Sequence, residues 1–544
     1  MPSMYLAPFA CDRTILKLRL NFLHRRVTVC RPTGELANLG AAHRAMGQLE
    51  QAAEILRDAI LLAPKNPSAH FNLANSYVDA GNLDLALIAY RQVTGLVPDH
   101  IAAHQTVAQI LRDMGDTDAA LLAFETLDRL ASNNPETLNA IAVLDASRGQ
   151  LEKAEELLRK AVALSPDNHE FAGNLASILA KTFRTDEALT IYADALDNTP
   201  DDPDLLCNIG NAISYQGDHV MAADKYLRAL EIDSDHVDAH AGLANNLLAD
   251  GQFADGWQHF LRRNSVLAIA THLDRTPLAA DLSGSHVIVL ADQGLGDQVF
   301  FARYLPELRA RGAHVTFRTD PRIAEMLHRS GITDKIAPDA NPADGDRVIS
   351  VGDLPFLLNC EDNSALPPPF KIVALPERED TLRSQLSVFG ARPWIGVTWR
   401  AGTPNMRQAL LKEAPAAFFA AALRRRAPGS VVVVQRDATE GETDRFATAL
   451  GRPILDLSSV NEDIEDLLAL SGMLDRYVGV SNTITHLRTA RQKSSEVIVP
   501  RPAEYRWMNA GEESPWFLGS KIYRQMPDGS WPPAFDDLAV ALKD

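Results

Sequence analysis

The stretch GQLEQAAEIL at residues 47–56 returns 34 positions later as GNLDLALIAY at residues 81–90. Each copy opens with glycine, places alanine five positions on and places a large apolar residue four positions after that. Residues four apart lie on one face of a helix, so each copy predicts an amphipathic helix. The repetition predicts helix pairs stacked into a solenoid. The positions that keep the period are Gly47, Gly81, Gly115, Gly149, Phe183, Gly217 and Gly251.

Three further kinds of position keep the same period. Small residues let the two helices of a pair approach closely, large apolar residues fill the space between them, and prolines stop the second helix. A period of 34 is the tetratricopeptide length, and we expect about seven units in a solenoid over residues 33–265. The small residues are Ala52, Ala86, Ala120, Ala154, Ala188, Ala222 and Gly256, the large ones are Leu56, Tyr90, Phe124, Leu158, Tyr192, Tyr226 and Phe260, and the prolines are Pro64, Pro98, Pro166 and Pro200.

One position on the first helix of the units favours asparagine, with Thr106, Ala140 and Gly242 as interruptions. Asparagine is either simply tolerated there or aligned as a partial ladder along the concave face. A carboxamide both donates and accepts, so a ladder could hold a peptide backbone without reading its sequence. The pattern resembles the asparagine ladder of the nucleocytoplasmic O-linked N-acetylglucosamine transferases, which implies a protein or peptide acceptor in the groove. The asparagines are Asn38, Asn72, Asn174 and Asn208.

The composition limits the kinds of function. A chain of 544 residues is long enough for about two to four domains. Its net charge of −18 argues against a surface for nucleic acid or anionic membranes. The sequence has no run of about 20 apolar residues, so no membrane span is predicted. The cysteines lack paired or metal-ligand spacing, which is typical of thiols in a reducing cytoplasm, and we expect a cytoplasmic protein. They are Cys11, Cys30, Cys207 and Cys360.

Residues 1–32 precede the repeats and carry basic residues that interrupt an apolar stretch. A signal peptide needs an uninterrupted apolar core and a small-residue cleavage site, and this segment has neither. We expect a disordered leader, with an amphipathic helix at a membrane surface as the alternative. The basic residues are Arg13, Lys17, Arg19, Arg25 and Arg26.

A different pattern follows the repeats. A buried strand, a glycine-rich turn, a helix and a second strand predict a βαβ unit with a parallel sheet. Asp297 lies in the turn, where it either caps the helix or faces a ligand at the carboxyl ends of the strands. The predicted strands are 286–290 and 314–317, the turn is 292–298, and the helix runs from 299 to about 311.

A second α/β block has five predicted strands that end in polar residues. A crevice at that edge of a sheet would collect their side chains. The cluster Ser481-Asn482-Thr483 opens a helix, which it either caps or uses to present hydroxyl and N–H groups to a diphosphate. The predicted strands are Trp394–Trp399, Ser430–Val434, Leu455–Leu457, Tyr477–Val480 and Glu496–Val499.

The motifs of this half together resemble the bacterial heptosyltransferase-type glycosyltransferases (family 9-like), which have the GT-B fold. More particularly, the chain is similar to bacterial proteins that fuse tetratricopeptide repeats to such a domain. The resemblance covers about Leu282 to the C terminus. Its motifs are Gln293–Asp297 with Phe301–Pro306, Val397–Gly402, Val478–Thr483 with His486 and Leu487, and the tail stretches Glu504–Met508, Ser514–Phe517 and Tyr523–Gln525 before Trp531.

The fold class that we expect is therefore an α-helical tetratricopeptide solenoid followed by an α/β GT-B-like pair of Rossmann-like lobes. The resemblance implies the boundaries of these parts. They are a linker at 266–284, an N-terminal lobe at 285–376, a nucleotide-sugar-binding C-terminal lobe at 390–533 and a C-terminal helix at 534–544.

The resemblance also implies residue roles. Asp297 would be the catalytic base, which takes a proton from the acceptor hydroxyl while the sugar transfers with inversion from a nucleotide-sugar. Neither a metal nor a cofactor is implied, since helix N-termini and basic side chains neutralise the leaving diphosphate. Arg400 and Lys412 are either diphosphate contacts or ordinary solvated bases. The donor-binding residues would be Gly294, Gly296, Trp399, Arg400, Gly402, Lys412, Gln435, Ser481, Asn482, Thr483 and His486.

Three departures from the family pattern leave the activity open, and the first is a short N-terminal lobe with few predicted strands after Phe317. Asn482 stands where the family usually has aspartate, so the side chain keeps its hydrogen-bonding capacity and loses the charge. The stretch 405–411 lacks the acid-and-arginine loop that is common in heptosyltransferases. We therefore expect either a hexosyl- or heptosyltransferase-like enzyme acting on a protein or surface-polymer acceptor, or a catalytically inactive scaffold that binds proteins.

Overall fold

The computed structural model describes residues 33–267, 269, 272–339, 342–343, 345–362, 366–401, 412–426 and 429–543. These residues divide into two compact units, one ending at Asn174 and the other beginning at Leu175. The predicted leader at 1–32 and the predicted donor-binding residue Gly402 lie outside the described residues.

The first unit consists of consecutive helices that pack in pairs. The side chains of Asn66 and Asn134 start two of them by accepting hydrogen bonds from first-turn N–H groups, and a proline follows each asparagine. The helices are α1 (Thr33–Ala45), α2 (Leu49–Leu62), α3 (Pro67–Asp79), α4 (Leu83–Leu96), α5 (Ile101–Asp113), α6 (Thr117–Leu130), α7 (Pro135–Ser147) and α8 (Leu151–Leu164).

The glycines that mark the period share one backbone conformation. All six have φ between 74° and 88°, the left-handed region that glycine enters without steric cost. Gly47, for example, lies in the turn between α1 and α2. Phe183 occupies the remaining place with φ of 61°. The helical solenoid predicted for the N-terminal half is confirmed.

The second unit begins with further helices of the same kind. The Tyr226 ring is 1% exposed and packs against two glycines: an added Cβ would lie 2.7 Å from the ring at Gly210 and 2.5 Å at Gly242. Among the described residues, no helix has the length and apolar character that crossing a membrane requires. The helices are α9 (His169–Lys181), which contains the boundary, α10 (Thr185–Asn198), α11 (Pro203–Gln216), α12 (His219–Ile232), α13 (Val237–Ala249), α14 (Phe253–Phe260) and α15 (Asn264–Leu267).

The first α/β part has a parallel sheet of strand order β3-β2-β1-β4. The burial of Val287, Ile288 and Val289 fits a central strand. Its elements are β1 (His286–Leu290), α16 (Leu295–Phe301), a 3₁₀ turn (Ala302–Tyr304), α17 (Leu305–Ala310), β2 (His314–Arg318), α18 (Pro321–Ser330), β3 (Lys335–Ile336), β4 (Arg347–Ser350), a 3₁₀ turn (Val351–Asp353), α19 (Leu354–Leu357) and α20 (Pro376–Phe389).

The helical stretch predicted from Val299 to about Arg311 is present, but its start and its continuity differ from the prediction. The structure has a helix that begins four residues earlier, at Leu295, and breaks at a 3₁₀ turn over 302–304 before α17. Pro306 explains the break, since proline has no N–H to donate to the carbonyl of Ala302.

The second α/β part has a parallel sheet of strand order β10-β9-β8-β5-β6-β7. The sequence predicted five of these strands and missed β10, whose sequence KIYR has no long apolar run. The elements are β5 (Trp394–Thr398), α21 (Ala416–Arg426), β6 (Ser430–Val433), α22 (Glu442–Leu450), β7 (Ile454–Asp456), a 3₁₀ turn (Ser458–Glu462), α23 (Ile464–Met473), β8 (Arg476–Val480), α24 (Thr483–Ala490), β9 (Glu496–Val499), a 3₁₀ turn (Tyr505–Trp507), β10 (Lys521–Arg524) and α25 (Pro532–Ala541).

Arg263 fastens the last repeat helices to the first sheet. Its guanidinium lies 2.6 Å from the carboxylates of Asp292 and Asp353 and donates to Ser350 Oγ over 2.9 Å. Asp292 follows β1 and Ser350 ends β4, so the guanidinium binds at the carboxyl ends of two neighbouring strands. One apolar cluster also runs from α14 through both sheets, with Trp257 2% exposed within it.

Candidate functional site

The two α/β parts meet where α16 and α24 begin. A Cβ on Gly296 would lie 3.4 Å from the Cα of Thr483 and 2.9 Å from Cδ2 of His486. Only glycine fits such an approach without movement of its neighbours. Gly296 of the predicted glycine-rich turn and Thr483 of the predicted helix-opening cluster therefore lie next to each other.

Asp297 lies in the first turn of α16, beside this contact, and it does not cap the helix. Gly294 occupies the N-cap position, and no side chain caps there. The carboxylate of Asp297 instead accepts a hydrogen bond from Nη1 of Arg506 over 2.6 Å. Its side chain keeps 24% exposure, so solvent or a ligand can reach it.

A chain of alternating charges continues from Asp297 through Arg506. The Arg506 guanidinium also pairs with the carboxylate of Glu504. Glu504 in turn lies 2.9 Å from Nζ of Lys412 and accepts a hydrogen bond from Ser481 Oγ over 3.0 Å. We call the four charged residues the charge cluster; its two carboxylates balance its two cations.

Glu504 and Arg506 keep their charges although both side chains are almost fully buried. Burial alone would raise the pKa of Glu504, but the charges of Arg506 and Lys412 outweigh it and hold that pKa well below its ordinary value. Burial would likewise lower the pKa of Arg506, yet Glu504, Tyr505 and Asp297 together raise it. The Glu504 carboxylate and the Arg506 guanidinium are therefore both charged at neutral pH.

His486 adds a neutral polar group beside the cluster. Burial, followed by the charge of Arg506, lowers the pKa of His486 well below its ordinary value, so the imidazole is uncharged at neutral pH. The ring packs against Phe300 and Phe517 at centroid distances of 5.8 and 5.2 Å. Its Nδ1 atom is buried and has no hydrogen-bond partner among the described residues. Buried polar atoms without a partner are rare, so this nitrogen is a candidate ligand contact.

The side chain of Asn482, a predicted donor-binding residue, already makes hydrogen bonds within the protein. Its Oδ1 accepts from the N–H of Thr485 over 3.2 Å, and its Nδ2 donates to the Tyr477 hydroxyl over 2.7 Å. Asn482 is thus the N-cap of α24, and Thr483 is the first residue of that helix.

Of three further predicted donor residues, Arg400 and Trp399 bind Glu442 and Gln435 binds the backbone beside them. The Arg400 guanidinium donates to Glu442 over 3.0 Å and the Trp399 indole over 2.7 Å. Although burial would raise the pKa of Glu442, these bonds lower it to about 2. Gln435 Oε1 accepts from the N–H groups of Trp399 and Arg400, so it fixes the chain after β5.

The asparagines of the predicted ladder differ in their contacts. Asn72 Nδ2 donates to the carbonyl of Ala37 over 3.3 Å, and Asn174 Nδ2 donates to Oδ1 of Asn139 over 2.8 Å. Asn38 and Asn208 are exposed. Two of the four carboxamides thus bond to the preceding repeat.

Sequence reasoning missed Glu504 and Arg506, although it quoted the stretch 504–508 as part of the resemblance. A usable signal was present: two opposite charges set among tyrosine and tryptophan shortly after the carboxyl end of β9. Ionic residues that alternate with large aromatic ones are partly buried, and buried charges need partners. Among the described residues, no group of three or more His, Cys, Asp or Glu side chains has metal-binding geometry.

Comparison with known proteins establishes the class of the helical part. The tetratricopeptide repeat family model matches residues 43–110 and 145–206, so the N-terminal half contains tetratricopeptide repeats. Among curated proteins, the chain is similar to Protein FlbA of Caulobacter vibrioides (strain ATCC 19089 / CIP 103742 / CB 15), with 26% identity over 334 residues. This match covers 55% of the chain and 54% of FlbA, so the chain spans about half the length of that relative.

Two of the solved structures that resemble the chain are described as tetratricopeptide repeat proteins. YrrB, described as having an unusual peptide-binding site, is 24% identical with a TM-score of 0.31, and the match covers 35% of this chain and 98% of YrrB. TTC0263 of Thermus thermophilus is also 24% identical with a TM-score of 0.25, and the match covers 34% of this chain and 99% of TTC0263.

Proposed function

We propose that the protein is an inverting, metal-independent glycosyltransferase of GT-B type, whose repeats recruit a protein or surface-polymer acceptor. The observation that carries this proposal is the position of Asp297. Asp297 is a partly exposed member of the charge cluster in the first turn of the helix after β1, where the two α/β parts meet near the neutral His486.

In the proposed reaction, the Asp297 carboxylate takes the proton of the acceptor hydroxyl. The hydroxyl oxygen forms a bond to the anomeric carbon of the donor sugar from the face opposite the diphosphate. The bond between that carbon and the diphosphate oxygen breaks, and the nucleoside diphosphate leaves with the electron pair. Arg506 and Lys412 supply positive charge for the leaving group, and His486 Nδ1 offers a hydrogen bond.

The test is a panel of nucleotides and nucleotide-sugars, followed by transfer to acceptor proteins. Calorimetry should detect at least one nucleoside diphosphate, and Asp297→Asn should abolish transfer while that binding survives. Asp281→Asn, which changes an exposed carboxylate of the same part of the chain, serves as the matched control. Unchanged transfer by Asp297→Asn would remove Asp297 from the mechanism.

A second candidate function is a protein-binding scaffold without catalysis. Several predicted donor contacts already have partners within the chain: Asn482 caps α24, Arg400 binds Glu442, and Lys412 binds Glu504. The charge cluster also has no net positive charge with which to attract a diphosphate. Folded protein that binds no member of the nucleotide panel would favour this function over the enzyme.

A further inference from the structure

The last repeat holds a backbone segment of the second α/β part with one side chain. Asn245 lies on α13, and its Nδ2 donates to the carbonyl of Ala503 over 3.0 Å. Its Oδ1 accepts from the N–H of Tyr505 over 2.9 Å. The carboxamide therefore brackets Glu504, which belongs to the charge cluster.

The same helix fixes the other end of this segment. The N–H of Asn509 donates to the carbonyl of Ala249 over 3.0 Å, and its side chain donates to Asp250 over 2.6 Å. Residues 503–509, which include Arg506, are thus held at both ends by α13 and the residue that follows it.

Comparison with the preceding repeat shows why Asn245 is free for this contact. Asn211 stands 34 positions earlier, and its Oδ1 accepts from the Tyr226 hydroxyl over 2.8 Å inside the repeat. The residue 34 positions after Tyr226 is Phe260, which has no hydroxyl. Without that donor, the carboxamide of Asn245 can bond entirely to the backbone at 503 and 505.

We propose that Asn245 is a positioning residue, which sets the direction of Glu504 and Arg506 in the charge cluster and thereby the geometry of the diphosphate site. This inference rests on the proposed function, because the diphosphate is that of the donor. Tyr505 is buried against Trp257 and Trp516, so its N–H has little freedom to find a substitute acceptor. Loss of the carboxamide removes the hydrogen bonds to residues 503 and 505 on either side of Glu504, while the contacts of Tyr505 with Trp257 and Trp516 remain.

The test compares Asn245→Leu, which removes both hydrogen bonds at similar volume, with Asn211→Leu as the matched control one repeat earlier. Inorganic pyrophosphate is the probe, and its Kd is measured by calorimetry well below the unfolding temperature of each variant. We expect Asn245→Leu to weaken binding at least tenfold and Asn211→Leu to change it less than twofold. Asn245→Asp keeps the acceptor for the Tyr505 N–H and loses the donor to the Ala503 carbonyl, so its Kd for pyrophosphate should lie between those of wild type and Asn245→Leu. The same variant provides the test if Asn245→Leu does not fold.

Hydrogen exchange of the amides of Tyr505 and Asn509 gives a second readout that needs no ligand. It should accelerate in Asn245→Leu and stay unchanged in Asn211→Leu. Equal pyrophosphate affinity in wild type and Asn245→Leu overturns the inference, as does wild-type protein that does not bind pyrophosphate. If pyrophosphate binding depends on Asn245 but the protein transfers no sugar, the positioning role is supported. Only the proposed glycosyltransferase function is then rejected.

Discussion

Arg506 donates to Asp297 over 2.6 Å across 209 positions of the chain. This bond joins the segment after β9 of the second sheet to the helix after β1 of the first. The two α/β parts are therefore connected at the candidate base itself.

Replacement of Arg506 should destabilise the protein strongly. Arg506→Met leaves the carboxylate of Glu504, 7% exposed, with Lys412 as its remaining cation, and leaves Asp297 unpaired. Removal of one partner from a buried ion pair costs about 3–5 kcal/mol of unfolding free energy. Urea denaturation measures the loss. Because the two residues touch, the double variant Arg506→Met/Asp297→Asn should lose about 0.5–3 kcal/mol less than the sum of the single variants; strict additivity would contradict the pairing.

Arg263 should matter far more than its neighbour Arg262. Arg263→Met leaves the carboxylate of Asp292, which is 0% exposed, without its cation, while Asp353 keeps Arg275 at 3.1 Å. We expect a loss of about 3–5 kcal/mol. Arg262 pairs with Asp235 at the surface, where the two side chains are 51% and 74% exposed, so Arg262→Met should change stability by less than about 0.5 kcal/mol. Similar losses in urea for both variants would show that the buried ion network does not stabilise the fold.

Two helical glycines should respond to alanine in opposite directions. Gly242→Ala puts a methyl group 2.5 Å from the Tyr226 ring, and overpacking of this kind costs about 1–3 kcal/mol. Gly95, near the end of α4, has nothing within 4 Å of the same position, so Gly95→Ala should stabilise by up to about 1 kcal/mol. Thermal unfolding of the two variants gives the signs, and a stabilised Gly242→Ala protein would refute the packing argument.

His486 should make the protein sensitive to mild acid. The pKa of His486 is lowered in the folded state, so below the unfolded pKa of about 6.5 the unfolded chain binds a proton that the folded chain does not. Stability is then fully present above that pH and falls, by up to about 1.4 kcal/mol per pH unit for this group, as the pH decreases. Burial also lowers the pKa of His219 and His259, so the comparison is with His486→Leu, which should lose less stability between pH 7 and 5.5. Parallel pH curves would assign the effect to the other histidines.

The periodic part of the fold was predictable because each unit repeats its own local rules. The glycine turns, the alanine contacts and the asparagine caps act within a single helix pair, so the sequence marks them directly. Phe183 is the instructive exception. It keeps the left-handed turn without glycine, and its ring packs against Gly529, a residue 346 positions away that no period reveals.

The candidate site was predictable only where one local segment carried it. Asp297 and the Ser481–Thr483 cluster lie at strand ends, where α/β sheets place ligand contacts, and the sequence showed that position. Its partners could not be found in the same way, because Arg506 and Asn245 meet their targets 209 and 260 positions away. Helix capping and ion pairing also compete for the same side chains, and only packing decides between them.

The hydrogen bonds of Asn245 and the ion pairs of Arg263 limit where the chain can be truncated without loss of the α/β fold. A fragment beginning at residue 266 would contain both sheets, but it would lose the arginine between two buried carboxylates and uncover the aromatic surface under Trp257. Exposure of that apolar surface should make such a fragment prone to aggregate. A fragment beginning at residue 169, where α9 starts, retains the final repeats as an integral part of its core. In this protein the last repeats belong to the folding unit of the sheets, although their sequence marks them as members of the array.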